Sequence, residues 1–218
     1  MQTRGQFDQE LKTIDDAIVE VANLTEKALE NAMESLFNQD IQLAEQVIEA
    51  DKDIDKKELE INDKIVLLIA KQNPVATDLR RLITALQIVA DLERMADNAR
   101  NIARSTIRLG ESEAALIPKR LHTMKDALIN MLHKAITAFT EENSKLASQL
   151  AEMDDFVDKE NKLILSELLG ETATNPDKIQ YIMQISLCSR YLERFGDHIT
   201  NIGESILYLI KGENYNLN

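Results

Sequence analysis

Apolar residues recur along this chain at intervals of three and four, the spacing that lays a stripe along one face of an α-helix. Phe7, Leu11, Ile14, Ile18, Val21, Ala28 and Met33 form one such stripe, which predicts a first helix from about Thr3 to Phe37. A second helix begins at an Asp40 cap and runs to about Gln72 before Asn73-Pro74 breaks the chain. The third carries Ala85, Ile88, Leu92, Met95, Ala99 and Ile102 and stops at Gly110. Pro118 opens a fourth and Asn143 caps a fifth, which Gly170 ends or interrupts; Pro176 opens a sixth, which continues to Gly212. The tail beyond Gly212 is expected to fray. Helices of ~30 residues, or ~45 Å, leave their apolar stripes in water unless they bundle. The expected fold is therefore all-α.

An internal repeat orders these helices. Asp91 to Ala103 and Tyr191 to Gly203 share Leu, Glu, Arg, Asp, Asn and Ile at an offset of 100. Upstream, an offset of 103 matches Asp40 with Asn143, Leu43 with Leu146, Ala44 with Ala147, Asp51 with Asp154 and Asp55 with Asp158. The pattern predicts six long helices arranged as two tandem, pseudo-symmetric three-helix bundles, at residues 1–112 and 113–212, with a tail at 213–218.

Polar residues interrupt the core lines at equivalent places. Asp51 and Glu58 break the apolar line of Val47, Ile54, Ile61, Ile65 and Leu68, and Asp154 and Asn161 break the line of Leu150, Val157, Ile164 and Leu168. Glu93, Asp97 and Asn101, and again Glu193, Asp197 and Asn201, follow at i, i+4 and i+8, stacked on one helix face beside the core. Helices two and three are joined by a short turn and must run antiparallel. Asp55 and Glu93 are each 19 residues from Pro74, and Asp51 and Asp97 each 23, so their carboxylates are expected to face each other. In the second half Asp158 with Glu193, and Asp154 with Asp197, are symmetric about Asn175-Pro176. That register requires residues 170–175 to climb along the bundle axis.

Four carboxylates in one partly dry patch repel one another and need a cation. One reading is metal, since an all-oxygen donor set suits hard cations such as Mg, Mn, Ca or Fe. The other is arginine: Arg94 and Arg194 recur beside the acids, and Arg80, Arg81 and Arg100 lie near enough in sequence for interhelical salt bridges. Spacing leaves both open.

Composition and charge narrow the partners. The 218 residues carry 38 acids against 25 bases, a formal charge of −13 that repels nucleic-acid phosphates and anionic lipid. The longest wholly apolar run is Ile65 to Ala70, far short of the ~20 residues of a membrane span. A polar N-terminus and a single cysteine, Cys188, point to the cytosol. Enzyme signatures are missing. No histidine has a Glu three residues before it, as helical di-iron sites require, and there is no glycine-rich phosphate loop. Cys188, among Ile185, Leu187 and Leu192, reads as a packing residue, and Gly196 and Gly203 as points of close helix approach.

The pattern Leu-Glu-Arg-x-x-Asp-x-x-x-Asn-Ile at 92–102 and 192–202, each preceded by Asp-x-x-x-Asp on the helix before, resembles the PhoU family over nearly the whole chain. The resemblance implies a non-enzymatic cytoplasmic negative regulator of phosphate uptake and the phosphate-starvation response. It implies an adaptor between the ATPase subunit of a phosphate ABC transporter and a sensor histidine kinase at the inner membrane face, often as a homodimer. It also implies multinuclear metal clusters, of iron or zinc, with Mg or Mn also compatible with the donors. Carried over by position, Asp51, Asp55, Glu93 and Asp97 would hold the first cluster and Asp154, Asp158, Glu193 and Asp197 the second, with Asn101 and Asn201 as additional candidates. The alternative is a metal-free helical scaffold whose acidic stripes are neutralised by Arg94 and Arg194.

Overall fold

The computed structural model describes residues 4–110, 117–174 and 178–217. Six long helices and one short segment make up the described chain: α1 (Arg4–Asn38), α2 (Ile41–Gln72), α3 (Ala76–Leu109), α4 (Arg120–Thr140), α5 (Ser144–Ser148), α6 (Leu150–Thr174) and α7 (Ile179–Lys211). No strand occurs among the described residues.

The helix boundaries follow from local chemistry. Asp40 Oδ1 accepts from Leu43 N at 2.9 Å, and its repeat partner Asn143 accepts from Leu146 N at 3.2 Å, so both second-helix starts are capped alike. Asn73 turns left-handed at φ 48° and donates to Ile69 O, which ends α2 one residue before Pro74. Gly212 ends α7 at φ +77°, where a Cβ would also sit 2.7 Å from Arg80 Nη1, so two separate constraints favour glycine there.

α3 and α7 pack side by side at the centre, and they run antiparallel. His198 meets Asp91, Thr84 donates to Ser205 O, and Arg80 donates to Leu209 O, so residue numbers rise along α3 as they fall along α7. α1 and α2 pack on α3, α4 and α6 on α7, and α1 touches α4 through Glu26 and His133, 2.9 Å apart. The buried apolar side chains of both halves form one continuous cluster. Fully buried Leu92, Met95 and Ile102 of α3 and Leu192, Phe195, Ile199 and Ile206 of α7 contribute to it, as does Cys188. The two halves are thus joined through a shared core.

Three expectations are corrected. The fifth helix is not continuous: Gln149 N bonds Leu146 O, separating the one-turn α5 from α6. The chain is pressed against α7 there, with Ala147 O and Leu150 Cδ1 each within 3.2 Å of where a Gly203 Cβ would stand. Gly170 does not end the helix, which continues to Thr174. Glycine inside a helix costs only ~1 kcal/mol, and buried Ile164 and Leu168 anchor the turns before it. The tail does not fray through residue 217. Leu217 N donates to Glu204 Oε1 at 2.7 Å, Lys211 lies over the Tyr215 ring, and Leu217 packs against the core. The expected boundary between the halves, at 112/113, and the opening at Pro176 lie outside the described residues.

Candidate metal centre

Each half brings carboxylates together between its second and third long helices. In the first centre Asp51 and Asp55 of α2 face Asp97 of α3, and one oxygen from each lies within 4.8 Å of the others. Glu93 stands one turn before Asp97, close enough to Asp97, Asp55 and Glu58 for their charges to raise its pKa, after burial as the larger cause. In the second centre Asp158 of α6 converges with Glu193 and Asp197 of α7 within the same limit. Asp154, one turn before Asp158, lines the same cavity as Asp158 and Asp197. The register expected from the two turns brings Asp51 to Asp97 and, with α6 climbing through Gly170, Asp158 to Glu193, while Glu93 in the first half and Asp154 in the second stand outside the converging groups.

Burial makes these groups unusual. Asp51 is 3% exposed and Asp154 and Glu193 are each 8% exposed, yet Asp51 Oδ1, Asp55 Oδ1, Asp154 Oδ1 and Glu193 Oε2 are buried oxygens with no hydrogen-bond partner among the described residues. An unsatisfied buried carboxylate oxygen costs several kcal/mol by order of magnitude, and proteins avoid it unless a cation or proton supplies the missing partner. Burial pushes Asp51 upward even though Arg100 opposes it. Burial, with the charges of Asp197, Asp158 and Glu193, pushes Asp154 up to about 7. Glu193 and Asp197 are also raised, burial again being the largest cause. Gly196 allows this approach, since a Cβ there would lie 2.5 Å from Asp154 Oδ1.

The centres differ in their cations. Arg100 bonds Asp51 through Nη1, and its Nη2 lies 2.7 Å from Asp97 Oδ1, while Arg94 stands 3.4 Å from Glu93 and 3.6 Å from Asp97. In the second centre Arg190 pairs with Glu193, and Asp158 pairs with Lys162 at 3.3 Å. Of the arginines considered from sequence, Arg80 and Arg81 serve elsewhere. Arg81 bridges Asp15 of α1, at 2.8 Å, and Glu142, and Arg80 covers the Tyr208 ring. Asn101 accepts from Arg104 at 3.3 Å, and Asn201 donates to Asp91 at 3.2 Å. Asn201 nonetheless lines the second centre's open cavity of ≈480 Å³ with Asp154, Asp155, Asp158, Asp197, His198 and Arg194. Leu217 forms another part of its wall. The sequence carried no signal for Leu217, nor for the pairing of His198 with Asp91, because both depend on segments far apart in the chain. Asn161, the counterpart of Glu58, is satisfied by the Ser189 hydroxyl at 2.6 Å.

The donor set is oxygen only, partly dry, and short of protein hydrogen-bond donors at four atoms. It fits a hard divalent or ferric cation. Fold and centres together define the class: a duplicated all-α bundle carrying one carboxylate cluster in each repeat.

Comparison with known proteins places the chain more narrowly. The family model described as the PhoU domain matches residues 18–106 and 121–206, one stretch in each half. The chain belongs to the PhoU family. It is 36% identical over 217 residues to a phosphate-specific transport system accessory protein PhoU homolog of Clostridium acetobutylicum, covering 99% of each chain. It is 31% identical over 211 residues to the phosphate-specific transport system accessory protein PhoU of Escherichia coli, covering 97% of this chain and 88% of that one. The crystal structure of PhoU from Pseudomonas aeruginosa superposes with a TM-score of 0.90 at 34% identity, covering 95% of this chain and 100% of that one. The two sequence relatives are named as accessory proteins of the phosphate-specific transport system.

Proposed function

We propose that this chain is an accessory protein of a phosphate-specific transport system, a cytoplasmic negative regulator of phosphate uptake and of the phosphate-starvation response. It acts as an adaptor, as a homodimer, between the ATPase subunit of the phosphate ABC transporter and a sensor histidine kinase. Its carboxylate centres hold multinuclear metal, iron or zinc by family resemblance, with Mg or Mn matching the donors. The observation that carries this reading is the convergence of buried, unpartnered carboxylate oxygens at equivalent places in both repeats.

The chain's own residues supply the frame. Asp51, Asp55, Glu93 and Asp97, and Asp154, Asp158, Glu193 and Asp197, would hold the cations, and Asn201 borders the second cavity. A cation held by these carboxylates would supply positive charge toward an acidic side chain or a phosphate of a partner. No described helix is long and apolar enough to cross a membrane, which agrees with recruitment through partners.

The test is co-purification from membranes of cells grown in high and in low phosphate. Transporter ATPase and kinase are expected with the wild-type chain in high phosphate, and not with Asp158→Ala combined with Asp197→Ala. Equal capture by both proteins would contradict the metal-dependent adaptor. A second reading, the metal-free scaffold, draws support from Arg100 and Arg94, which oppose the acids of the first centre, and from Arg190 and Arg194, whose charges oppose Glu193 and Asp197 in the second.

A further inference from the structure

The two centres stand on the same helical frame, but the repeat does not conserve the charge at one position. At the offset of 100, Arg100 corresponds to Thr200. Arg100 lies inside the first carboxylate group, bonded to Asp51 and to Asp97, which are two of the three residues whose oxygens converge there. Its side chain is only 20% exposed. Thr200 instead turns back onto its own helix, its hydroxyl donating to Asp197 O at 2.7 Å. Asp154, the counterpart of Asp51, therefore has no arginine bonded to it; its Oδ1, like that of Asp51, lacks a hydrogen-bond partner among the described residues although the residue is more than nine-tenths buried, and it lines the open cavity of the second centre. Arg190 reaches Glu193 with a side chain that is 55% exposed, and Arg194, itself exposed, lines the cavity wall, so both stand at the edge rather than between the ligands.

A guanidinium held between two carboxylates fills the position and supplies the charge that a metal ion would bring. A cation entering the first centre must break two charge-assisted hydrogen bonds in a partly dry site and leave the displaced arginine to be resolvated. The second centre asks for no such displacement at Asp154. We infer that Arg100 is a resident counter-ion that closes the first centre, so that the second centre takes up a divalent cation first and more tightly. This inference rests on the metal-binding reading above.

Calorimetric titration of Mn²⁺ into the metal-stripped full-length chain tests it. In the wild type, Asp154→Asn is expected to weaken the tightest uptake by about tenfold or more, and Asp51→Asn to leave that uptake unchanged. Arg100→Thr, which installs the second repeat's residue, is expected to add a second tight class of sites, while Arg100→Lys keeps the positive charge and the wild-type isotherm. Comparing Asp154→Asn with Asp51→Asn leaves Arg100 intact, so the ranking is decided even if Arg100→Thr fails to fold. Equal loss in those two variants, a larger loss in Asp51→Asn, or an unchanged isotherm in folded Arg100→Thr overturns the inference alone. Absence of Mn²⁺ uptake in every protein overturns the metal-binding reading and the inference with it.

Discussion

Asp154 reaches into the second centre directly over Gly196: a Cβ at position 196 would lie 2.5 Å from its Oδ1 and 3.3 Å from Leu128 Cδ2. The glycine makes room for a buried acid. Gly196→Ala is expected to destabilise the chain by about 1–3 kcal/mol, read from the urea midpoint, and to weaken cation uptake at the second centre. The first repeat carries Ala96 at this position, so the cost belongs to the placement of Asp154. A Gly196→Ala protein with wild-type stability would mean that Asp154 moves aside freely.

Raised carboxylate pKa values set the sign of the pH response. Asp154, up to about 7, and Asp51, Glu93, Glu193 and Asp197, also raised, bind protons more tightly in the fold than in the unfolded chain, where they titrate near 3.8 or 4.5. Where the folded state holds more protons, stability falls as pH rises, and the decline ends above the highest folded pKa. With chelator present, the melting temperature is expected to climb as pH is lowered from about 8 towards 5, in the window set by these shifts. Asp154→Asn should remove the part of the slope nearest pH 7. Melting curves with an unchanged slope in that variant would contradict the assignment.

Asp91 ties the two halves together. Its Oδ1 lies 2.9 Å from His198 Nδ1 and accepts from Asn201 Nδ2 at 3.2 Å, and the side chain is largely shielded from water. Asp91→Ala leaves both partners short of a bond, and a loss of about 1–3 kcal/mol in urea unfolding is expected. Because the linkage crosses the α3–α7 seam, the transition should remain single. A variant as stable as the wild type would show that solvent replaces the contact at no cost.

Cys188 is fully buried, and burial pushes its thiol up to about 12. The native chain is expected to resist a thiol-specific reagent at pH 8 and to react once urea unfolds it. Rapid modification of the folded chain would contradict the packing.

Much of this architecture can be read from local pattern. Asp40 and Asn143 announce their helices because a short polar side chain can cap a free backbone N–H, and Asn73-Pro74 fixes a tight turn whose symmetry pairs Asp51 with Asp97. What could not be read depends on contacts across the fold. The Gln149 break lies where the chain packs close against Gly203, the helix survives Gly170 through neighbouring burial, and Leu217 docks far from its own sequence neighbours. Arginine was legible as a counter-charge and in part by residue: Arg94 stands beside Glu93 and Asp97 and Arg100 reaches Asp51 and Asp97, whereas Arg81 turns to Asp15 and Glu142.

The most direct test of the paired centres is elemental analysis of protein purified without chelator or metal-affinity tag. The account predicts metal in whole-number ratio to the chain, lost in Asp154→Ala combined with Asp197→Ala while helical circular dichroism is unchanged. Metal at background level in the wild type, or the same content in that folded variant, would contradict it.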